Sequence, residues 1–385
     1  CSMKVRNGPA RRSKPTWLLY LLLLATLLIP QPAAADDTLE THSERFSIEG
    51  KYAIAASGVG MLDSSSGDIA LDVPGRGIKA AYLYWSGFGS QDGGDATVTL
   101  ARDGGGAVSI TADPTTGSYG PLFWWGENYY FAYVANVTKL VKLGAHTYTV
   151  AGFDEGMTRR DGAGLMVVYE DSILPYSRVQ IKDGLDRFYR FWGKGPRAES
   201  AVNCFTFKAD DAIRRLKMAS FVGEIYMGGA LRPNALWYKT GTPKEPQPAD
   251  MVSAPSDGPP TGDLLQGPPD SPFMSRDNPQ WDTYARELVI PAGHTWACLQ
   301  VESARHKSQE PASGVWLANG IAVPIEEPPE PPPTDTPTPI PTDDGPKPPD
   351  PPPCCIPWLL VVPCLLVIGL FLLLPLVIRR RDDSV

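Results

Sequence analysis

The hydrophobic pattern divides the chain into two apolar ends and a long middle region of short apolar runs. In the middle region, residues 36–323, β-branched and aromatic runs such as 82–85 and 165–169 are separated by glycine-rich turns such as 103–106. Short runs bounded by turn signals are typical of β-strands. Only residues 209–220 are expected to form a helix of any length. The pattern therefore predicts an all-β fold of the sandwich or barrel type.

An internal repeat divides the middle region in two. Three short motifs of the first half recur in the same order in the second half, with small differences in spacing that loop insertions would explain. We therefore predict two tandem β-sandwich domains with a jelly-roll-like topology, at residues 36–180 and 181–323. The paired motifs are residues 81–85 with 219–223, 144–150 with 292–298, and 164–168 with 314–318.

The N-terminal segment, residues 1–35, has the organisation of a signal peptide. Basic residues precede an apolar run from Trp17 to Ile29, and a small-residue site that ends at Ala35 follows it. An apolar helix of this length would span roughly 20 Å, which is too short for a bilayer core of about 30 Å. Cleavage after Ala35 is therefore expected in preference to a retained membrane span.

The C-terminal apolar segment begins at Ile356, ends at Ile378 and contains no charged residue. It is long enough for about 34 Å of helix, so it is predicted to be a single transmembrane helix. Three arginines, residues 379–381, follow directly, and positive charge stays on the cytoplasmic side of a membrane. We therefore expect a protein of the cell membrane with a cytoplasmic tail, residues 379–385, and with its N-terminal region outside.

A proline-rich acidic stretch, residues 324–355, lies between the last predicted strand and this apolar segment. Half of the residues from 324 to 353 are proline. Proline favours the extended polyproline II conformation, and the like charges between the prolines oppose collapse. The stretch is therefore predicted to be a semi-rigid stalk.

Charge and cysteine content restrict the function further. The chain carries 35 basic and 43 acidic side chains, for a formal net charge of −8. Electrostatic binding to nucleic acid requires a basic surface, so nucleic acid is not expected as a partner. Cys204 and Cys298 are the only cysteines in residues 36–323. An oxidising exterior would allow a disulfide between them, and two buried free thiols are the alternative.

Four motifs resemble those of a known family. They cover residues 80–87, 137–141, 148–152 and 161–171. In order and rough spacing they resemble a domain of unknown function that occurs in secreted prokaryotic cell-surface proteins. The resemblance implies a β-rich fold and an extracellular location, and it supplies no catalytic residues.

The densest group of aromatic residues is the best candidate for a ligand site. Seven aromatic side chains fall between residues 123 and 133. Neighbouring residues of a strand point to opposite faces, so two adjacent tryptophans cannot both face one side. Exposed rings stack on sugars and anchor protein partners, and the alternative is a corner where two sheets pack together. The predicted ligand-binding residues are Trp124, Trp125, Glu127, Asn128, Tyr129 and Tyr130.

Candidate catalytic and metal-binding groups are few. The chain has no G-x-S-x-G, H-E-x-x-H or P-loop motif, so no catalytic residue is assigned. His146 and His294 occupy matching positions of the repeat, which favours a structural role in turns. Carboxylates in glycine-rich loops leave calcium open as a cofactor, although such loops are more often solvated turns. The possible calcium ligands are Asp92, Asp95, Asp154, Glu155 and Asp161.

The organisation predicts a membrane-anchored prokaryotic surface protein that displays β-sandwich domains for binding or adhesion to a glycan or a protein. One alternative is an extracellular hydrolase of glycans or glycoproteins, with Glu127 and Asp154 as acid and base. Another alternative is a structural protein of the cell envelope that assembles laterally. Binding without catalysis is favoured because the common catalytic motifs are missing.

Overall fold

The computed structural model describes residues 39–62, 64–154, 156–191, 198–225, 232–244, 262–274 and 277–329. In these residues the chain is all-β, as the sequence predicts, and it has no helix. The first ten strands are β1 Leu39–Gly50, β2 Tyr52–Gly60, β3 Ser66–Val73, β4 Gly77–Gly89, β5 Thr97–Arg102, β6 Val108–Thr111, β7 Ser118–Trp125, β8 Asn128–Asn136, β9 Gly144–Ala151 and β10 Arg159–Glu170. The others are β11 Ser177–Phe188, β12 Asn203–Thr206, β13 Arg214–Ile225, β14 Ala235–Gly241, β15 Asp263–Gln266, β16 Gln280–Ile290, β17 Trp296–Glu302 and β18 Gly314–Pro324.

The strands form four antiparallel sheets, which we number I to IV. Sheet I has the order β3-β9-β5-β6, and sheet II has the order β2-β10-β4-β8-β7. Sheet III has the order β1-β11-β18-β13-β16, and sheet IV has the order β12-β17-β14-β15. Three hydrophobic cores lie between successive sheets, so the sheets stack in the order I, II, III, IV. This arrangement is consistent with β-sandwich architecture.

The middle sheets explain the nearly continuous apolar runs of the sequence. Sheet II is covered on both faces, so alternate residues of β4 enter different cores. Leu83 and Trp85 pack toward sheet I. Tyr82 and Tyr84 pack toward sheet III, where Phe221 of β13 meets the Tyr84 ring at a centroid distance of 5.6 Å. A strand with two buried faces therefore carries apolar side chains on both faces, which removes the alternation of apolar and polar residues.

The internal repeat coincides with a repeated strand order. In sheets II and I, β2 to β6 and β8 to β10 occupy the same relative places as β11 to β18 do in sheets III and IV. The first repeated motif falls on β4 and β13, the second on β9 and at the start of β17, and the third on β10 and β18. Two strands are additions to this shared order, because β7 extends sheet II and β1 extends sheet III. The boundary expected after residue 180 falls within β11.

The helix expected at residues 209–220 is wrong, because β13 begins at Arg214. The apolar residues Leu216 and Met218 are buried, whereas the residue before each of them, Arg215 or Lys217, is exposed. This alternation with a period of two places one face of the strand against sheet IV. The segment is so short that its apolar residues fit both the helical period and the strand period.

A disulfide joins two strands of sheet IV. Cys204 of β12 lies directly opposite Cys298 of β17, and their Cα atoms are 4.0 Å apart. The bridge ties the edge strand β12 to the interior of the sheet. It also closes a long loop of the chain, which restricts the unfolded state.

The two ends of the stacked sheets carry different loops. At one end β4 finishes at Gly89 beside the β7–β8 turn, and we call this the hairpin end. At the other end β18 finishes at Pro324 opposite Ser177, and the described chain stops a few residues later, so we call this the exit end. Lys51, between β1 and β2, contacts Glu327 at 3.6 Å there.

Three predicted segments lie outside the described residues. They are the signal peptide, most of the proline-rich stalk and the transmembrane segment that begins at Ile356. Within the described part of the chain, no helix is long and apolar enough to cross a membrane.

Candidate functional site: the hairpin end

The aromatic segment predicted as a ligand site forms the β7–β8 hairpin. Trp125 pairs with Asn128, so Gly126 and Glu127 make the turn. Gly126 has a φ of 59°, the left-handed conformation that glycine adopts at no steric cost and that tight hairpin turns use. The glycine therefore fixes where the hairpin reverses.

Two of the predicted ligand residues belong to the core. Trp124 is 2% exposed and Tyr130 is fully buried. The Phe88 ring meets both edge-on, at centroid distances of 5.5 Å and 4.8 Å. The Arg187 guanidinium lies 5.3 Å from the Trp124 ring centroid. Because these rings fill the space between sheets II and III, they present no face to a ligand in solvent.

The remaining members of the hairpin face solvent. Phe123 is 48% exposed, and its ring meets the half-buried Tyr129 ring edge-on at a centroid distance of 5.7 Å. The Tyr129 hydroxyl donates to Gln91 Oε1 at 3.3 Å. The side chain of Trp125 lies outside the described residues. We call the exposed and half-buried group the hairpin surface; it consists of Phe123, Glu127, Asn128 and Tyr129.

A pair of carboxyl groups that sequence reasoning did not connect lies near the hairpin, between sheets II and III. Asp161 is the extra residue at a register shift of β10 against β4, and Glu224 is the extra residue at a register shift of β13 against β16. Such β-bulges re-aim side chains, and they are frequent beside functional sites. Glu224 accordingly has a φ of 57°. Only knowledge of the strand pairing could have revealed that both carboxyls point into one space.

Arg159 lies between the two carboxyls. Its guanidinium donates to Glu224 Oε2, and its Nε is 3.6 Å from Asp161 Oδ1. The Tyr130 hydroxyl faces the same space, and a Cβ at Gly223 would lie 2.3 Å from that hydroxyl. Asp161 is fully buried; the Tyr130 hydroxyl and the Glu224 backbone N–H approach its carboxyl group, but among the described residues no donor forms a well-aligned hydrogen bond with either oxygen. The cluster is therefore charged, buried and incompletely satisfied.

Burial dominates the electrostatics of this cluster. Burial, and next the charge of Glu224, raises the pKa of Asp161 well above its ordinary value. Burial also raises the pKa of Glu224, while the Arg159 guanidinium opposes that change. Two ionised carboxylates beside one guanidinium would leave a net negative charge in a dry space, so this arrangement favours retention of a proton by the pair. A pair that holds one proton presents one proton donor and one acceptor.

Another carboxylate between sheets II and III is fully partnered. Asp183 Oδ2 accepts from Arg45 Nε at 2.7 Å and from the Tyr84 hydroxyl at 2.9 Å. Its Oδ1 accepts from the Tyr119 hydroxyl at 2.6 Å and from Arg45 Nη2 at 3.2 Å. The aspartate and the arginine belong to sheet III, and both tyrosines belong to sheet II. The cluster clamps the two sheets together.

The structure places the predicted acid and base in different loops. Glu127 lies in the β7–β8 turn, and Asp154 lies between β9 and β10. The Asp154 backbone N–H donates to Asp95 Oδ2 at 2.6 Å, and the Thr97 N–H donates to Asp95 Oδ1 at 3.0 Å. Among the described residues, no group of three or more His, Cys, Asp or Glu side chains could hold a metal ion, and Glu155 is outside them.

The two repeat-related histidines hold turns and neighbouring strands. His146 Nδ1 is 2.7 Å from Asp103 Oδ2, and its Nε2 is 2.9 Å from the Leu143 carbonyl oxygen. His294 Nδ1 is 2.8 Å from Thr240 Oγ1. These contacts support the structural role that the repeat suggests.

Comparison with known proteins gives only distant likenesses. No family model and no curated protein matches the sequence, so the resemblance to the prokaryotic surface domain stays a prediction. A recombinant N-glycanase F (PNGase F) structure is 10% identical, with 72% of this chain and 97% of that chain covered and a TM-score of 0.24. The structure of PNGase F, a glycosylasparaginase from Flavobacterium meningosepticum, is 11% identical, with 74% and 96% covered and a TM-score of 0.23. The infectious bursal disease virus Gx strain structure is 13% identical, with 78% and 77% covered and a TM-score of 0.19. TM-scores this low carry no conclusion about the fold or function of this chain.

Proposed function

We propose that the chain is a single-pass surface protein whose two tandem jelly-roll sandwiches bind a glycan or protein ligand at the hairpin end. A cleaved signal peptide, a proline-rich stalk and a C-terminal membrane helix complete the proposed architecture. The observation that carries the proposal is the position of the hairpin surface. Its exposed rings lie at the end opposite to the one from which the chain runs toward the proline-rich segment. A ligand site at that end faces away from the point at which the described chain leaves the sheets.

Binding of defined ligands tests this proposal. Cells that display the full chain are incubated with a glycan array and with purified cell-wall polymers. Saturable binding is expected, and Phe123→Ala and Tyr129→Ala should each reduce the affinity about tenfold, because each removes one ring of the hairpin surface.

The matched control is Ile173→Ala. Ile173 is 84% exposed, and it lies in the turn after β10 at the exit end. This change removes a comparable exposed apolar side chain, so binding should stay at the level of the unchanged protein. Equal losses in all three variants, or no binding by a well-displayed protein, would contradict the proposed site. Lateral assembly without ligand binding would favour a structural envelope role.

A glycan-directed hydrolase is the second candidate. The Asp161–Glu224 pair supports this function better than does the pair expected from sequence, Glu127 and Asp154. Glycoside hydrolysis uses one protonated and one ionised carboxyl group. Glu224 contacts Arg159, whose side chain is 27% exposed, so this cluster approaches solvent at the hairpin end. Release of new reducing ends from a bound glycan would support the hydrolase. A bound glycan that stays intact would leave only the binding function.

A further inference from the structure

A second pair of aromatic rings lies at the hairpin end, on the other sandwich. Tyr189 and Phe191 directly follow β11, and their rings meet edge-on at a centroid distance of 6.1 Å. Phe191 is 57% exposed. The pair has the same geometry as Phe123 and Tyr129 on sheet II: a strongly exposed phenylalanine is braced by a tyrosine. No sequence motif connects the two pairs.

The second pair is held in place by polar contacts. The Tyr189 hydroxyl donates to Glu310 Oε1 at 2.7 Å. The Arg232 guanidinium lies 5.7 Å from the Tyr189 ring centroid, and it donates to Ser313 Oγ at 3.0 Å and to the Pro311 carbonyl at 2.8 Å. A ring fixed in this way loses little conformational freedom when it contacts a ligand.

One arginine connects the two pairs. Arg187, at the end of β11, donates to the Phe123 carbonyl oxygen of β7, and Tyr189 follows two residues later in the chain. The end of β11 therefore adjoins β7 at this end of sheets II and III, and packed sheets lie about 10 Å apart. The Tyr129 ring packs against the core between sheets I and II, so the first pair lies on the face of sheet II away from sheet III. A ligand that touches both pairs must extend across the junction of the sandwiches.

The exposed apolar residues at the opposite end are of another kind. Among the described residues, the large exposed apolar side chains at the hairpin end are Leu62, Phe123 and Phe191, two of them aromatic, and a further one, Leu264, lies on the edge strand β15. Those at the exit end are all aliphatic: Val108, Ile173, Ile213 and Val289. Aromatic exposure is thus concentrated at one end of the molecule.

The setting of the rings fits a carbohydrate. Each pair is a small apolar platform beside hydrogen-bonding groups, with Glu127 and Asn128 near the first and Arg232 and Glu310 near the second. Sugar rings combine C–H faces, which pack on aromatic rings, with hydroxyls, which need polar partners. A protein interface of standard size instead requires a contiguous dry core of apolar residues. The chain is also acidic, which favours neutral over anionic polymers.

We propose that the hairpin end binds a neutral glycan chain across both sandwiches, with Phe123–Tyr129 and Tyr189–Phe191 as two stacking platforms. This inference rests on the proposed binding function and adds a second contact site and a ligand class. It requires that affinity rise with chain length until the glycan reaches both platforms.

Chain-length dependence combined with single and double variants tests the inference. Cells displaying the full chain are titrated with cellulose, chitin, xylan and mannan oligosaccharides of increasing length. Affinity for long oligosaccharides should fall about tenfold in Phe123→Ala, about tenfold in Phe191→Ala, and by the product of both in the double variant. For the shortest fragments that still bind, the double variant should lose much less than this product, because such a fragment reaches only one platform.

The control again is Ile173→Ala, with surface display measured for every variant. Loss of binding in Phe123→Ala with unchanged binding in Phe191→Ala would overturn the second platform and leave the proposed binding function intact. Affinity independent of glycan length would also overturn it. Binding to cell-wall protein with none to any of the four glycans would refute the carbohydrate class.

Discussion

Two carboxylates buried between the same two sheets, Asp183 and Asp161, have opposite surroundings. Asp183 accepts four hydrogen bonds, two of them from Arg45. Asp161 accepts no well-aligned hydrogen bond among the described residues, although the Tyr130 hydroxyl approaches it, and it shares Arg159 with Glu224. Asp183 therefore stabilises the contact between the two sandwiches, whereas the burial of Asp161 destabilises the fold.

The difference follows from where the donors originate. The Asp183 cluster draws two hydroxyls from sheet II and one guanidinium from sheet III, so each bond crosses or braces the junction. The Asp161 cluster instead brings a second acid into the same space. Buried carboxyl groups without full partners are costly, and proteins retain them mainly where they serve a function. This contrast supports the proposal that the hairpin end is the functional end of the junction.

The largest expected effect comes from breaking the satisfied cluster. Asp183→Ala would leave the Arg45 guanidinium, whose side chain is only 9% exposed, without its carboxylate. Removal of one partner from a buried ion pair costs about 3 to 5 kcal/mol of unfolding free energy. Urea denaturation of the wild type and the variant at pH 7 measures this loss. A change below about 1 kcal/mol would show that the cluster does not clamp the sheets.

The buried His42 is intermediate between these two carboxylates, because each of its ring nitrogens has a partner but no partner is charged. His42 of β1 is completely buried; Asn203 Nδ2 donates to its Nδ1 at 2.9 Å, and its Nε2 is 3.0 Å from the Trp316 carbonyl. Burial lowers the pKa of His42 to about 4, although the contact with that carbonyl opposes the shift. The folded protein therefore takes up this proton less readily than the unfolded chain.

The direction of the pH dependence that His42 gives to stability follows from this lowered pKa. Its contribution to stability is complete above the unfolded pKa of about 6.5 and declines as the pH falls toward 4. We expect the wild type to lose up to about 3 kcal/mol from this group over that interval. His42→Gln should remove that part of the pH dependence, which urea denaturation at pH 7, 6 and 5 detects. Parallel curves for the two proteins would contradict the neutral, buried histidine.

Sequence reasoning recovers the parts of this fold that local pattern encodes. The all-β class and the matching motifs on β4 and β13 follow from short apolar runs, which any strand buried on two faces must have. The β13 segment was nevertheless expected to be helical, because a short stretch with several apolar residues fits both periods. Side-chain alternation becomes visible only once the strand has neighbours.

The candidate site is less accessible to sequence reasoning. The aromatic hairpin is evident from composition, but which rings are exposed depends on sheet III covering Trp124 and Tyr130. The Asp161–Glu224 pair depends on two β-bulges in different sheets, and the Phe191 platform depends on the course of the chain after β11. The pairing of strands that are distant in the chain decides each of these features, and that pairing cannot be read from a single sequence.

The smallest expected effect comes from relieving the unsatisfied cluster. Asp161→Asn keeps the shape of the side chain and removes its charge. A pKa raised in the folded state means that the stability contribution is complete below the unfolded pKa of about 4 and is lost as the pH rises through the folded value. The wild type should therefore lose up to about 1.4 kcal/mol per pH unit between the unfolded pKa and the folded pKa, and the variant should not.

The comparison of these two carboxylates is sharpest under alkaline conditions. Near pH 4 the Asp161→Asn variant and the wild type should unfold at nearly the same urea concentration, because little of the pH-dependent loss of the wild type has yet occurred. At pH 9 the variant should be the more stable protein, whereas Asp183→Ala stays destabilised at both values. A variant that is weaker than the wild type at pH 9 would mean that the ionised Asp161 carboxylate is satisfied by Arg159, and the two clusters would then be alike in kind.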